Sequence, residues 1–229
     1  WDCGEYIAAG STLGILHPPG NPLYVILAKI ASILFFFINN PALRINLLSA
    51  LFGALTSYFI YLTIVRVLTE VTGETKNILI QSAIYIGAIV GALFSAFANT
   101  VVFSAVEAEV YVPLLLPISI CTWLTVKWGQ SKSTHRDTIL IMILLICFLG
   151  IGIHIYTVIV SPAILLYVII KDPQKRKDWR FLLTIISMSV VIYQLSLYIF
   201  IGIGLISVTF TGLLFSKKAR NQWKFCFYL

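Results

Sequence analysis

Ile78-Leu79-Ile80-Gln81-Ser82-Ala83-Ile84-Tyr85-Ile86-Gly87-Ala88-Ile89-Val90-Gly91-Ala92-Leu93-Phe94-Ser95-Ala96-Phe97 is a run of 20 residues without a charge. As an α-helix it extends about 30 Å, the thickness of a bilayer's hydrocarbon core. A transmembrane β-strand would alternate polar and apolar residues, and this run does not. Residues 47–62 read the same way. The whole chain agrees: 59% of its 229 residues are hydrophobic and 11% are charged, with mean hydropathy +0.97. A soluble domain carries about 25% charged residues and would expose too much apolar surface at this composition. Soluble enzymes, disordered tails, disulfide scaffolds and nucleic-acid binders are thereby excluded, the last despite a net charge of +7. The sequence predicts an all-α, polytopic integral membrane helical bundle.

Further apolar stretches lie at 20–38, 45–65, 111–126, 138–153, 155–170 and 181–215. The last is about 52 Å long as a helix, too long for one span, and is expected to divide near Gly202 and Gly204. Of the 16 basic residues, 14 fall in four connections: Arg66 and Lys76; Lys127, Lys132 and Arg136; the 171–180 cluster; and Lys217 onward. The positive-inside rule places these on the cytoplasmic side. Alternation from residue 45 onward then puts 39–44 outside. For the segment before it to share that side, 20–38 must enter and leave on the outer face as a juxtamembrane or re-entrant helix. Pro18, Pro19 and Pro22 suit its stiff entry, and Asn39-Asn40-Pro41 its end. Residues 1–229 are expected to form one such unit within a longer protein, with 1–44 as the first extracytoplasmic loop.

On this topology Asp2, Glu5, His17, Glu107, Glu109 and His154 share the outer face with only Lys29 and Arg44 as cations. If residues 2–10 are helical, Asp2, Glu5 and Tyr6 lie on one face. A carboxylate at an apolar boundary loses solvation, which raises its pKa and suits it to general-base work. Read by themselves, the two acids are equally loop residues, and His17-Pro18-Pro19-Gly20 is a turn and helix start. Glu107 and Tyr111 share a helical face, whereas Glu107 and Glu109 share a side only in an extended loop. His154 stands alone between apolar runs, either as a structural residue or as a partner of the outer acids. Arg44 suits phosphate recognition or a pair with Glu107. Ala83, Gly87, Gly91 and Ser95 form a small-residue ridge for helix packing. Cys3, Cys121, Cys147 and Cys226 lack metal-site spacing and are read as small hydrophobes without a disulfide.

The ordered set Trp1-Asp2-Cys3-Gly4-Glu5-Tyr6, then His17-Pro18-Pro19-Gly20-Asn21-Pro22-Leu23-Tyr24, then Arg44-Ile45-Asn46-Leu47-Leu48-Ser49-Ala50-Leu51-Phe52 resembles the transmembrane protein 260-like family, whose eukaryotic member is a protein O-mannosyltransferase. Ala105-Val106-Glu107-Ala108-Glu109-Val110-Tyr111 and Gly150-Ile151-Gly152-Ile153-His154 also look like that family. More distantly the pattern is similar to the GT-C glycosyltransferases.

The resemblance implies a GT-C-like fold with a juxtamembrane helix at 20–38 and a span before Trp1. It implies a membrane glycosyltransferase that takes a sugar from a polyprenyl-phosphate donor, with inversion, and passes it to a hydroxyl of a protein or glycan acceptor outside the membrane. Asp2 would be the base and Glu5 its support. Cys3-Gly4 departs from the adjacent acids of the O-mannosyltransferases, and that leaves Asp2 and Glu5 both open as the base. His17, Arg44, Glu107, Glu109, Tyr111 and His154 would shape the donor and acceptor pocket. No cofactor is required by these motifs, a divalent metal ion being the one left open. The partners are the lipid-linked donor, the acceptor and the bilayer, with no nucleic acid. A bacterial inner membrane is expected in preference to the endoplasmic reticulum. The alternative is a transporter or flippase of a lipid-linked substrate.

Overall fold

The computed structural model describes residues 2–18, 20–73, 75–132 and 136–178. The expected division of 181–215 and the basic stretch from Lys217 lie outside the described residues. Among these residues eight α-helices follow in order: α1 Cys3–Thr12, α2 Pro22–Leu34, α3 Pro41–Thr72, α4 Ile78–Ala96, α5 Asn99–Ala105, α6 Tyr111–Gln130, α7 Arg136–Ile151 and α8 Ser161–Lys171. Short 3₁₀ turns cover Ile155–Val160 and Pro173–Lys177. No strand occurs among the described residues.

Among the described residues three helices, α3, α4 and α6, are long and apolar enough to cross a membrane. Their starts are written locally. Asn40 accepts the N–H groups of Ala42 at 2.9 Å and Leu43 at 3.3 Å with Pro41 in the first turn. Asn77 accepts that of Leu79 at 2.9 Å. Each side chain satisfies donors that a helix N-terminus otherwise leaves unpaired. The outer faces stay apolar: Ile86, Val90, Phe94 and Phe97 are exposed on and just beyond α4, as lipid contact requires.

The helices expected at 45–65, 78–97 and 111–126 are present, the first and third with longer bounds. The segment expected at 155–170 divides into a 3₁₀ turn and α8. The 20–38 segment yields α2, whose 13 residues measure about 20 Å, too short to cross the hydrocarbon core. The packing ridge of α4 lies one residue away from the expected one. Ala83 and Gly87 are exposed, while Ile84, Ala88 and Ala92 are buried. Adjacent helical positions differ by 100°, and burying Ile84 removes more apolar surface than burying Ala83. Gly91 stays in the contact, where a Cβ would come within 2.8 Å of Ile64 Cδ1 on α3.

What positions the candidate site is an unusual local arrangement of α1 and α2. The chain leaves α1 through Leu13, in a left-handed conformation with φ 58°, and runs back along the helix to residue 21. Gly20 (φ 86°) and Asn21 (φ 39°) then reverse it into α2. Glycine takes this region freely, and asparagine is among the few side chains that tolerate it. In consequence α1 and α2 run parallel. Tyr6 packs edge-on against Tyr24, with ring centroids 5.1 Å apart. Gly10 lies where a Cβ would meet Ala28 Cβ at 2.6 Å, and Lys29 Nζ donates to the Ser11 carbonyl at 2.6 Å. Ala9, Leu16, Val25, Ala28, Ile45, Leu48, Ala108 and Val110 join Tyr6 and Tyr24 in one buried cluster. Thus the 105–111 motif packs into the core formed by α1, α2 and the start of α3.

Candidate active site

Because α1 and α2 are parallel, their N-termini lie at one end, and there the acids gather. Glu5, in the first turn of α1, holds His17 through both carboxylate oxygens. The His17 backbone N–H donates to Oε1 at 2.7 Å, and the ring Nδ1 lies 2.7 Å from Oε2. These bonds hold the Glu5 carboxyl below its ordinary pKa, and the carboxylate holds the His17 imidazole above its own. Asp2 precedes the first turn of α1, is exposed, and makes no side-chain capping bond.

One turn inward, Asn21 Nδ2 donates to the Tyr6 hydroxyl at 2.9 Å in a buried contact. Burial, with the nearby Glu109 carboxylate, pushes the Tyr6 phenol up to about 12, so it stays protonated at neutral pH. Glu109 is 8% exposed. Its carboxyl is raised first by loss of solvation and then by the neighbouring Asp2 carboxylate, while a bond from the Asp2 backbone opposes the shift. The buried acid is therefore tied to the exposed one.

The turn at 106–110 is not helical. The Glu109 N–H donates to the Glu107 carbonyl at 2.9 Å, and only Glu109 of the two glutamates turns into the core. Glu107 and Tyr111 therefore do not share a helical face. Tyr111 opens α6, is 54% exposed, and sits 5.8 Å from the His154 ring, centroid to centroid. His154 Nδ1 accepts the Tyr156 N–H at 3.2 Å, which leaves the proton of the neutral ring on Nε2. Burial lowers the pKa of this imidazole and favours that neutral form.

Arg44 is placed elsewhere. Its guanidinium donates to the carbonyls of Ile38 (2.6 Å), Phe36 (3.0 Å) and Ser32 (3.3 Å). It thus closes the C-terminal end of α2, about 20 Å along that helix from Asn21, and is not joined to Glu107. The orphan carbonyls at a helix end attract a cation more strongly than a distant carboxylate does. The structure brings Asp2, Glu5, His17, Glu109, Tyr111 and His154 to one end of the bundle, leaves Glu107 half-exposed beside them, and separates Arg44. Among the described residues no three His, Cys, Asp or Glu side chains are grouped to hold a metal ion.

Tyr6 and Asn21 belong to this constellation and were not among the candidate residues. The His17-Pro18-Pro19-Gly20 turn is readable in the sequence, but it describes backbone, and no local pattern shows that Asn21 reaches Tyr6. Gly152 is likewise part of the frame. Its carbonyl accepts the N–H groups of Leu23 at 2.8 Å and Tyr24 at 3.2 Å, docking the start of α2 on the end of α7.

Fold and site together define an all-helical membrane protein with an acid-lined site at one end of the bundle. The family model for the protein O-mannosyl-transferase TMEM260 N-terminal domain matches residues 2–177, and the chain belongs to that family. The protein O-mannosyl-transferase TMEM260 of Mus musculus is 30% identical over 135 residues, 59% of this chain and 17% of that protein. The corresponding protein of Dictyostelium discoideum is 39% identical over 64 residues, 28% of this chain and 8% of its own. The chain thus matches less than a fifth of the length of these curated relatives. No solved structure matches it.

Proposed function

We propose that this chain is the membrane portion of a GT-C-type glycosyltransferase, which moves a sugar from a polyprenyl-phosphate donor to an acceptor hydroxyl on the extracytoplasmic side, with inversion. The protein is then multi-pass, and the acid-bearing end of the bundle faces outward in a bacterial inner membrane. The observation that carries the reading is the convergence of Asp2, the Glu5–His17 pair, Tyr6–Asn21 and Glu109 at the N-termini of α1 and α2, in a family whose relatives are named O-mannosyl-transferases.

The two carboxylates left open by the sequence are distinguished by their surroundings. Glu5 has both oxygens committed to His17, whereas Asp2 is exposed at the helix start. In the proposed mechanism Asp2 takes the proton of the acceptor hydroxyl as that oxygen attacks the anomeric carbon. The bond to the lipid phosphate breaks on the opposite face, and the phosphate leaves with the electron pair. Glu5 and His17 hold the loop that frames Asp2. Burial of the Glu109 carboxyl raises its pKa and so disfavours a further negative charge beside the donor. The partial positive charge of the α1 N-terminus favours the phosphate at this end.

The test is Asp2→Asn in the full-length protein. Transfer to an acceptor should be lost while membrane insertion and melting temperature are kept. Transfer at the parental rate would remove Asp2 from the role of base.

A further inference from the structure

At the end of the bundle remote from the acids, cations are paired with carboxylates: Lys171 with Glu70 at 2.9 Å, Lys175 with Asp137 at 2.8 Å, and Arg136 with Asp172. Arg66 and Lys127 are different. The Arg66 guanidinium carbon lies 5.7 Å, and Lys127 Nζ 4.9 Å, from the centroid of the same Trp123 ring. Among the described residues neither has a carboxylate partner. Glu70, the acid on the same helix as Arg66, is spent on Lys171 and on Gln130 Nε2. Arg66 Nη1 donates to Gln130 Oε1 at 3.0 Å, which fixes its head without neutralising it.

The two cations are at most about 11 Å apart, and their repulsion is little screened beside apolar helices. Phe59 packs edge-on against Trp123 at 5.6 Å, so the indole has an apolar side and a charged side. Lys127 lies about 24 Å along α6 from Tyr111, close to the other membrane interface, and Trp123 about one turn nearer the bilayer middle. Long basic side chains reach out to that interface, and basic pockets between helices there hold anionic headgroups.

We propose that Arg66, Trp123 and Lys127 form a binding site for the phosphate headgroup of an anionic phospholipid, seated between α3 and α6. The headgroup supplies the missing counter-charge and its acyl chains lie against the Phe59 side. This site is separate from the acid-lined end and does not depend on the reaction assigned there.

The full-length protein is placed in phosphatidylcholine nanodiscs with increasing phosphatidylglycerol, and retained lipid is counted by native mass spectrometry. Phosphatidylglycerol should be retained in preference to phosphatidylcholine. Its apparent affinity should fall roughly fivefold per cation removed, in Arg66→Gln and Lys127→Gln, and be kept in Lys127→Arg. Lys127→Gln leaves the Arg66–Gln130 bonds intact and serves as the variant that keeps its fold, checked by an unchanged melting curve in pure phosphatidylcholine. Equal retention of the two lipids, or unchanged retention in Lys127→Gln, overturns the proposal. Displacement of the lipid by millimolar inorganic phosphate overturns the lipid assignment in favour of a soluble phosphate.

Discussion

Leu23 and Gly152 are held together by a backbone bond, the Leu23 N–H donating to the Gly152 carbonyl at 2.8 Å, and a Cβ added at Gly152 would come within 2.8 Å of Leu23 Cβ. The contact joins two sequence motifs remote in the chain. The first N–H groups of α2, which have no partner within the helix, find one at the end of α7. The orientation of Asn21, and through it of Tyr6, follows from that docking.

Gly152→Ala should therefore destabilise the fold by about 1–3 kcal/mol, the ordinary effect of overpacking. It should also reduce transfer, because α2 must shift. Thermal unfolding in detergent measures the first effect. A melting temperature equal to the parent would mean that α2 yields without strain.

The Glu5–His17 contact predicts a titration. His17 titrates above 6.5 in the fold, so its contribution is complete below 6.5 and is lost as pH rises through the folded value. Glu5 titrates below 4.5, so its contribution is complete above 4.5 and is lost as pH falls through its folded value. The ion pair is strongest between those limits. Histidine NMR should show His17 titrating above the ordinary imidazole range and returning toward it in Glu5→Gln. No response to Glu5→Gln would dismiss the pair.

Asn21 serves both backbone and side chain. Asn21→Gly keeps the left-handed turn and loses the bond to Tyr6, at about 1 kcal/mol. Asn21→Ala loses the bond and adds strain of about 1–2 kcal/mol. Chemical denaturation of both variants separates the two contributions. Equal losses would show that φ 39° at this position carries no strain.

Burial of Glu109 predicts a pH-dependent stability. Burial raises its pKa, so its ionised form opposes folding, and stability falls as pH climbs from 4.5 through the folded value. Glu109→Gln should flatten that slope, leave stability at pH 7 equal or higher, and lower transfer. A less stable variant at pH 7 would indicate that the charge is needed for folding.

The outer placement of the first loop is open to labelling. Ile15 is 97% exposed and Asn39 lies in the exposed segment after α2. Ile15→Cys and Asn39→Cys, each in the full-length protein, should both react with a membrane-impermeant maleimide added from outside. Reaction of one alone would mean that 20–38 crosses the membrane and that the acids do not share a face.

The helical membrane character, the α3, α4 and α6 segments and the residues of the acid cluster were legible in the sequence, because apolar run length and the placing of charges are properties of near neighbours. The partners of those residues were not. That Glu5 spends its charge on His17, that Glu109 turns inward while Glu107 does not, that Arg44 closes α2, and that α4 packs through Ile84 and Ala88 all depend on which surfaces meet. Side chains at one membrane level have several partners within reach, and the choice among them is made by burial and by backbone docking such as Leu23 on Gly152. Sequence alone determined that the chain is a helical membrane protein with most of its acids near one end; the tertiary structure decided that Arg44 leaves that end, that Tyr6 and Asn21 join it, and which groups remain free for chemistry, because a charge once hydrogen-bonded to a neighbour or to a helix end is no longer available to a substrate.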